Sequence, residues 1–209
     1  MKAIIFDLDN CLAPADEVGT ELYAPAFNAI RSANDGSVSD DMLEKAFADI
    51  WSHAFDWVAR RYRFTPEMFN AGWREFVRMQ IETPMKGYGD LHLLASIPGE
   101  KFLVTSGFCR LQESKIRALG VASMFREVYV DTIDEPDRVG KKGLFWDIVT
   151  RYGYDRNDVF VVGDNPESEI AAGRELGLRT VQTLRPGVTR TEEVDFHVAG
   201  LSELIALFD

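Results

Sequence analysis

The chain has 209 residues, 46% of them hydrophobic and 27% charged, and a formal net charge of −11. That balance suits a folded globular protein rather than a disordered or fibrous one, and so acidic a surface excludes nucleic acid and anionic membranes as main partners. Cys11 and Cys109 are too few for a disulfide framework and predict a reducing, cytoplasmic setting.

Ala3 to Phe6 is a short apolar run, suited to a buried strand and too brief for a membrane span. With a single lysine before it, this start predicts neither a secretory signal nor an anchor. The run ends at Asp7 and Asp9. On an extended backbone a spacing of two places both carboxylates on one face. Two such anions at ~4 Å repel by roughly 4 kcal/mol at an effective dielectric of ~20. A divalent cation held by oxygen ligands is the usual remedy, so the strand end is expected to wall a metal site.

From Pro14 to Pro84 no strand-like run occurs. Leu43, Phe47, Ile50, Ala54 and Trp57 recur at spacings of three and four, predicting one amphipathic helix. Thr65-Pro66-Glu67 is a helix start, and Phe69, Trp73 and Phe76 continue its apolar face. Beyond Met85, apolar runs alternate with helical patterns. Strands are expected at 101–104, 127–130, 159–162 and 179–181, and helices ending at Gly120, Gly153 and Gly177. The expected architecture is α/β: a Rossmann-like parallel sheet with helices on both faces, residues 1–13 and 85–209, interrupted by an all-helical unit over 14–84.

Chemistry-bearing residues fall at the expected C-terminal ends of those strands, where open α/β sheets build sites. Thr105 and Ser106 follow the second strand and could hold a phosphate or merely cap a helix. Lys141 and Lys142 open the helix carrying Phe145, Ile148 and Val149. Cations there oppose the macrodipole, which an anionic ligand would justify; a solvated pair is the alternative. Asp164 ends the fourth strand, and Glu169 lies in the first turn of the next helix.

In order and spacing, Asp-x-Asp, Thr/Ser, Lys before a helix and Gly-Asp resemble the haloacid dehalogenase-like (HAD) hydrolase superfamily. The resemblance covers essentially the whole chain, and the helical insert looks like its helical cap domain. It implies a phosphatase in which Asp7 is the nucleophile and Asp9 the acid and base. Mg²⁺ would be held by Asp7, Asp164 and the Asp9 carbonyl, with Glu169 in support. Thr105, Ser106 and Lys141 would bind phosphate, Lys142 being the reserve for Lys141. Two positions depart from the pattern: Cys11 stands where Thr or Val is usual, and Ser106 where Asn is frequent. Asp9 argues against haloacid cleavage, for which the superfamily's enzymes lack that second acid.

The expected substrate is a small phosphorylated metabolite, the expected assembly a monomer or homodimer. A nucleoside monophosphate phosphatase, a sugar-phosphate mutase and a non-catalytic phospholigand binder are alternatives. A phosphorylatable receiver domain lacks so large an insert. Trp51, His53, Trp57, Arg60, Arg61, Tyr62 and Arg63 are candidates for substrate selection, although aromatics there also suit a core. Cys11 and Cys109 could both lie at the site rim and respond to oxidation.

Overall fold

The computed structural model describes residues 2–208. Its β1 (Ala3–Phe6) is completely buried, as its continuous apolar run requires. Around it stand β2 (Glu100–Gly107), β3 (Glu127–Thr132), β4 (Val159–Gly163), β5 (Arg179–Thr183) and β6 (Phe196–Val198). All pairings are parallel, in the order β3-β2-β1-β4-β5-β6. The chain leaves β1 toward β2 on one side and returns to β4 on the other. The crevice at their C-terminal ends is therefore the topological switch point.

Alternate residues of β1 feed opposite layers. Ile4 and Phe6 join Ile116, Leu201 and Leu204 from α5 (Cys109–Leu119) and α8 (Leu201–Ala206). Ala3 and Ile5 join Phe145, Ile148 and Ala172 from α6 (Gly140–Tyr152) and α7 (Ala171–Glu175). Gly120 and Gly153 close α5 and α6 in the left-handed conformation, as expected of glycine there.

The interrupting segment holds α1 (Thr20–Ala33), α2 (Asp40–Asp49), α3 (Phe55–Arg61) and α4 (Pro66–Phe76). At the start of α4, Thr65 Oγ1 accepts the Met68 N–H at 3.3 Å. The single helix expected through Leu43 and Trp57 is instead two helices, α2 and α3, parted by a turn over 50–54. The periodicity survives because both helices turn an apolar face to one cluster of Tyr23, Ile30, Phe47, Phe55 and Phe76. That cluster continues into Phe108, Leu111 and Ile133 of the sheet half, so the helices sit over the strand ends. Helix α1 and strand β6 had no clear sequence signal. Proline at position 25 obscures the first, and β6 has three residues.

Candidate functional site

The loop leaving β1 turns at once. The Leu8 carbonyl accepts the N–H groups of Leu12 and Ala13, while Asn10 takes a left-handed φ of 55°, which asparagine tolerates better than most residues. This presents Asp7 and Asp9 to one cavity of about 250 Å³. Each carboxylate has its own lysine. Lys141 Nζ lies 2.9 Å from Asp7 Oδ1, and Lys115 Nζ lies 2.9 and 3.0 Å from the two Asp9 oxygens. The repulsion expected between the two acids is thus divided between two cations.

At the cavity floor, Asp7, Asp164 and Glu169 offer one oxygen each within 4.8 Å of one another. Glu169 is fully buried; it accepts from Lys141 at 2.8 Å and from the Asn165 N–H at 2.6 Å. Glycine is required at position 163, where a Cβ would stand 2.3 Å from Glu169 Oε1. Three buried acids with one lysine leave an excess of negative charge. Burial pushes the Asp7 carboxyl up to about 7, against the opposing pull of Lys141. Burial, then Glu169 and Asp7, push Asp164 up to about 9. For Lys141 burial disfavours the charge, but Asp7 and Glu169 outweigh it and keep the ammonium protonated. An all-oxygen, over-anionic trio of this kind fits a hard divalent cation. The Asp9 carboxylate lies outside the trio.

Thr105 lines the cavity and is buried; Ser106 lines it too, but its hydroxyl donates to Asp131 at 2.8 Å. The two lysines separate completely. Lys141 is buried in the site, whereas Lys142 is an exposed residue paired with Glu175 at 2.6 Å. The structure thus places the reserve candidate outside the cavity, since one residue along a helix turns the side chain by about 100°.

Sequence reasoning missed Lys115, Gln112, Asn10, Asn165 and Arg138, all of which line the cavity. Lys115 is 2% exposed, and Gln112 donates to Asp9 at 3.1 Å. Their signal was faint: a lysine at position 115, aligned with the apolar Leu111 and Ile116 side of α5. Arg138 is fastened to Asp131 and donates to Asp56 of α3 at 2.9 Å. Among the cluster expected to select substrate, Trp51, His53, Trp57 and Arg60 line the cavity. Arg61, Tyr62 and Arg63 do not; the Tyr62 hydroxyl donates to Asp49 instead.

Cys11 is fully buried, with its thiol directed at the Val162 carbonyl at 3.6 Å. Burial, with Asp7 next, holds that thiol well above its usual range. A buried, protonated thiol is a poor target for oxidants, so Cys11 offers no redox switch. Its loop is firmly held: Arg185 donates to the Cys11 carbonyl at 3.1 Å and is clamped by Asp90.

A family model described as HAD-hydrolase-like matches residues 139–202, the stretch carrying Lys141, Asp164 and Glu169. The parallel sheet, its strand order and the site at the switch point agree with that match. Over that stretch the chain is similar to the HAD-like hydrolases. A glyceraldehyde 3-phosphate phosphatase of Methanopyrus kandleri is 25% identical to this chain over 202 residues, 88% of this chain and 84% of that protein. In fold it is similar to CbbY of Rhodobacter sphaeroides, solved with phosphate (TM-score 0.67, 17% identity, 98% of this chain and 96% of that one). It is also similar to the HAD hydrolase YfnB of Bacillus subtilis, solved with magnesium (TM-score 0.64, 15% identity, 100% and 98%).

Proposed function

We propose that this HAD-like chain is a phosphatase that hydrolyses a small phosphate monoester through a phosphorylated Asp7, with Mg²⁺ as its metal. The observation that carries the reading is the convergence of Asp7, Asp164 and Glu169 around one point, with Lys141 beside the nucleophile. The name of the Methanopyrus relative and the phosphate held by CbbY support the substrate class.

Asp7 and Asp164 would hold the ion together with the Asp9 carbonyl, Glu169 supporting them. The bound ion would neutralise charge that otherwise keeps a phosphate dianion from a carboxylate. With Lys141 on Asp7 Oδ1, the second Asp7 oxygen attacks phosphorus and the bond to the leaving oxygen breaks. Lys141 and Thr105 steady the transferring phosphoryl oxygens. Asp9 gives its proton to the departing alkoxide, then takes one from the water that hydrolyses the acyl phosphate. While Lys115 holds both Asp9 oxygens, Asp9 is set as the base of that second step; for the first it must turn out of the clamp.

Residues 14–84 act as the cap, whose α3 and the turn before it roof the cavity and exclude water. A cavity of about 250 Å³ falls just below the usual range for drug-sized ligands of about 300–1,000 Å³, which favours a small leaving group over a nucleoside. The test is phosphate release from a panel of phosphorylated metabolites with Mg²⁺. Release should stop on chelation, and Asp7→Asn should lose at least about 10⁴-fold in kcat while remaining folded. Substantial turnover by Asp7→Asn would overturn the nucleophile assignment.

A further inference from the structure

Beside the catalytic cavity lies a second, larger one of about 830 Å³, bounded on its far side by Tyr88 and the loop from Pro186 to Thr191. Asn10, Trp51, Ser52, His53, Asp164, Asn165 and Glu167 line both cavities, so the turn over 51–53 and the two loops carrying Asn10 and Asn165 together form the wall between them. Two carboxamides fasten that wall. Asn10 Nδ2 donates to the Trp51 carbonyl at 3.0 Å, and Asn165 Nδ2 to the Ser52 carbonyl at 2.7 Å.

Each asparagine uses its other end on its own catalytic loop. Asn10 Oδ1 accepts the Ala15 N–H at 3.1 Å, and Asn165 Oδ1 accepts the Glu167 N–H at 2.9 Å. The turn is therefore tied to the loops that carry Asp9 and Asp164. Its seating has a cost as well. His53 Nδ1 and Asp56 Oδ1 are buried without a hydrogen-bond partner, and a polar group left in that state is destabilising.

We propose that Asn10 and Asn165 are positioning residues that fasten the 51–53 turn as a partition between the two cavities, and so restrict the enzyme to phosphate monoesters with small leaving groups. Its kinetic part rests on the phosphatase reading above. Loosening the partition joins the cavities, and a bulky leaving group then extends toward Tyr88 and the 186–191 loop.

Asn165→Ser keeps an oxygen able to cap Glu167 but is too short to reach Ser52, and it adds no charge near the acids. Asn10→Gly keeps the left-handed backbone and loses the tie to Trp51. Ethyl phosphate and 1-naphthyl phosphate are compared as small and bulky probes, the ratio of their kcat/KM values being taken within each protein so that any unfolded fraction cancels. In both variants the bulky-to-small ratio should rise by at least about fivefold, the equivalent of one hydrogen bond of ~1 kcal/mol. Amide hydrogen exchange over 50–56 should quicken by a similar factor without added ligand. A ratio that stays at the wild-type value, or exchange that does not change over 50–56, overturns the proposal. If the wild-type protein hydrolyses neither ester, the phosphatase reading falls instead, and exchange alone decides whether the carboxamides hold the turn.

Discussion

The floor and the roof of the cavity are held by different forces. At the floor, Asp7, Asp164 and Glu169 arrive from β1, from the end of β4 and from the turn beyond it, and Lys141 is the buried cation among them. At the roof, residues 50–57 are held by two neutral carboxamides, by the apolar packing of Phe55 and by the partly exposed Arg138–Asp56 ion pair. Electrostatics in a buried site is strong, and it is costly when unbalanced. Neutral hydrogen bonds are worth about 1 kcal/mol each and part more readily. The floor thus concentrates its charge in one buried cluster, whereas the roof spreads its attachment over several weaker contacts.

Removing the floor's cation should break this contrast most severely. Lys141→Met leaves Asp7 and Glu169 buried without their partner, a change that typically costs about 3–5 kcal/mol. At this chain length the Tm should fall by roughly 10 °C, with activity lost, and calorimetry checks it. A Tm within about 2 °C of the wild type would show that the floor does not depend on its lysine.

The floor was legible in the sequence because strand ends announce themselves. An apolar run such as Val159–Val162 followed by Gly163-Asp164 fixes both the strand and the position of the acid at its tip. The roof was less so. The 43–57 periodicity is satisfied equally by one helix or by two sharing a core, and the 50–54 break lies among residues that hydrophobic spacing cannot separate. Asn10, Asn165 and Arg138 are hidden for another reason. Each acts on a partner more than 40 residues away, or, in Arg138, on Asp131 and Asp56 together, and no local pattern encodes a tertiary contact. Lys115 stands between these cases. A charged residue beside the apolar side of a helix was a visible anomaly, yet only the fold shows that Asp9 answers it.

A milder way to sharpen the comparison is to vary pH with and without the metal. Burial lifts the Asp7 and Asp164 carboxyls in the folded, metal-free protein to about 7 and about 9, from 3.8 in both cases. Between those limits the folded chain binds more protons than the unfolded one, so stability falls as pH rises. Metal-free protein should therefore melt lower at pH 8 than at pH 5, by about 5 °C or more at this length. Added Mg²⁺ should raise the Tm chiefly at pH 8, where the acids must ionise to bind it. A metal-induced gain equal at both pH values would mean that the ion is not held by these acids.

The smallest effect belongs to the residue next to Lys141. Lys142 carries the same charge on the same helix turn, but its ammonium is paired with Glu175 at the surface, with both side chains more than half exposed. Water screens such a pair, and exposed ion pairs contribute about 0–1 kcal/mol. Lys142→Ala should shift the Tm by no more than about 2 °C and leave kcat/KM within about twofold, by the same thermal and kinetic assays. If it cost as much as Lys141→Met, burial would not be what distinguishes the two lysines, and the charge balance assigned to the floor would have to include the helix surface as well.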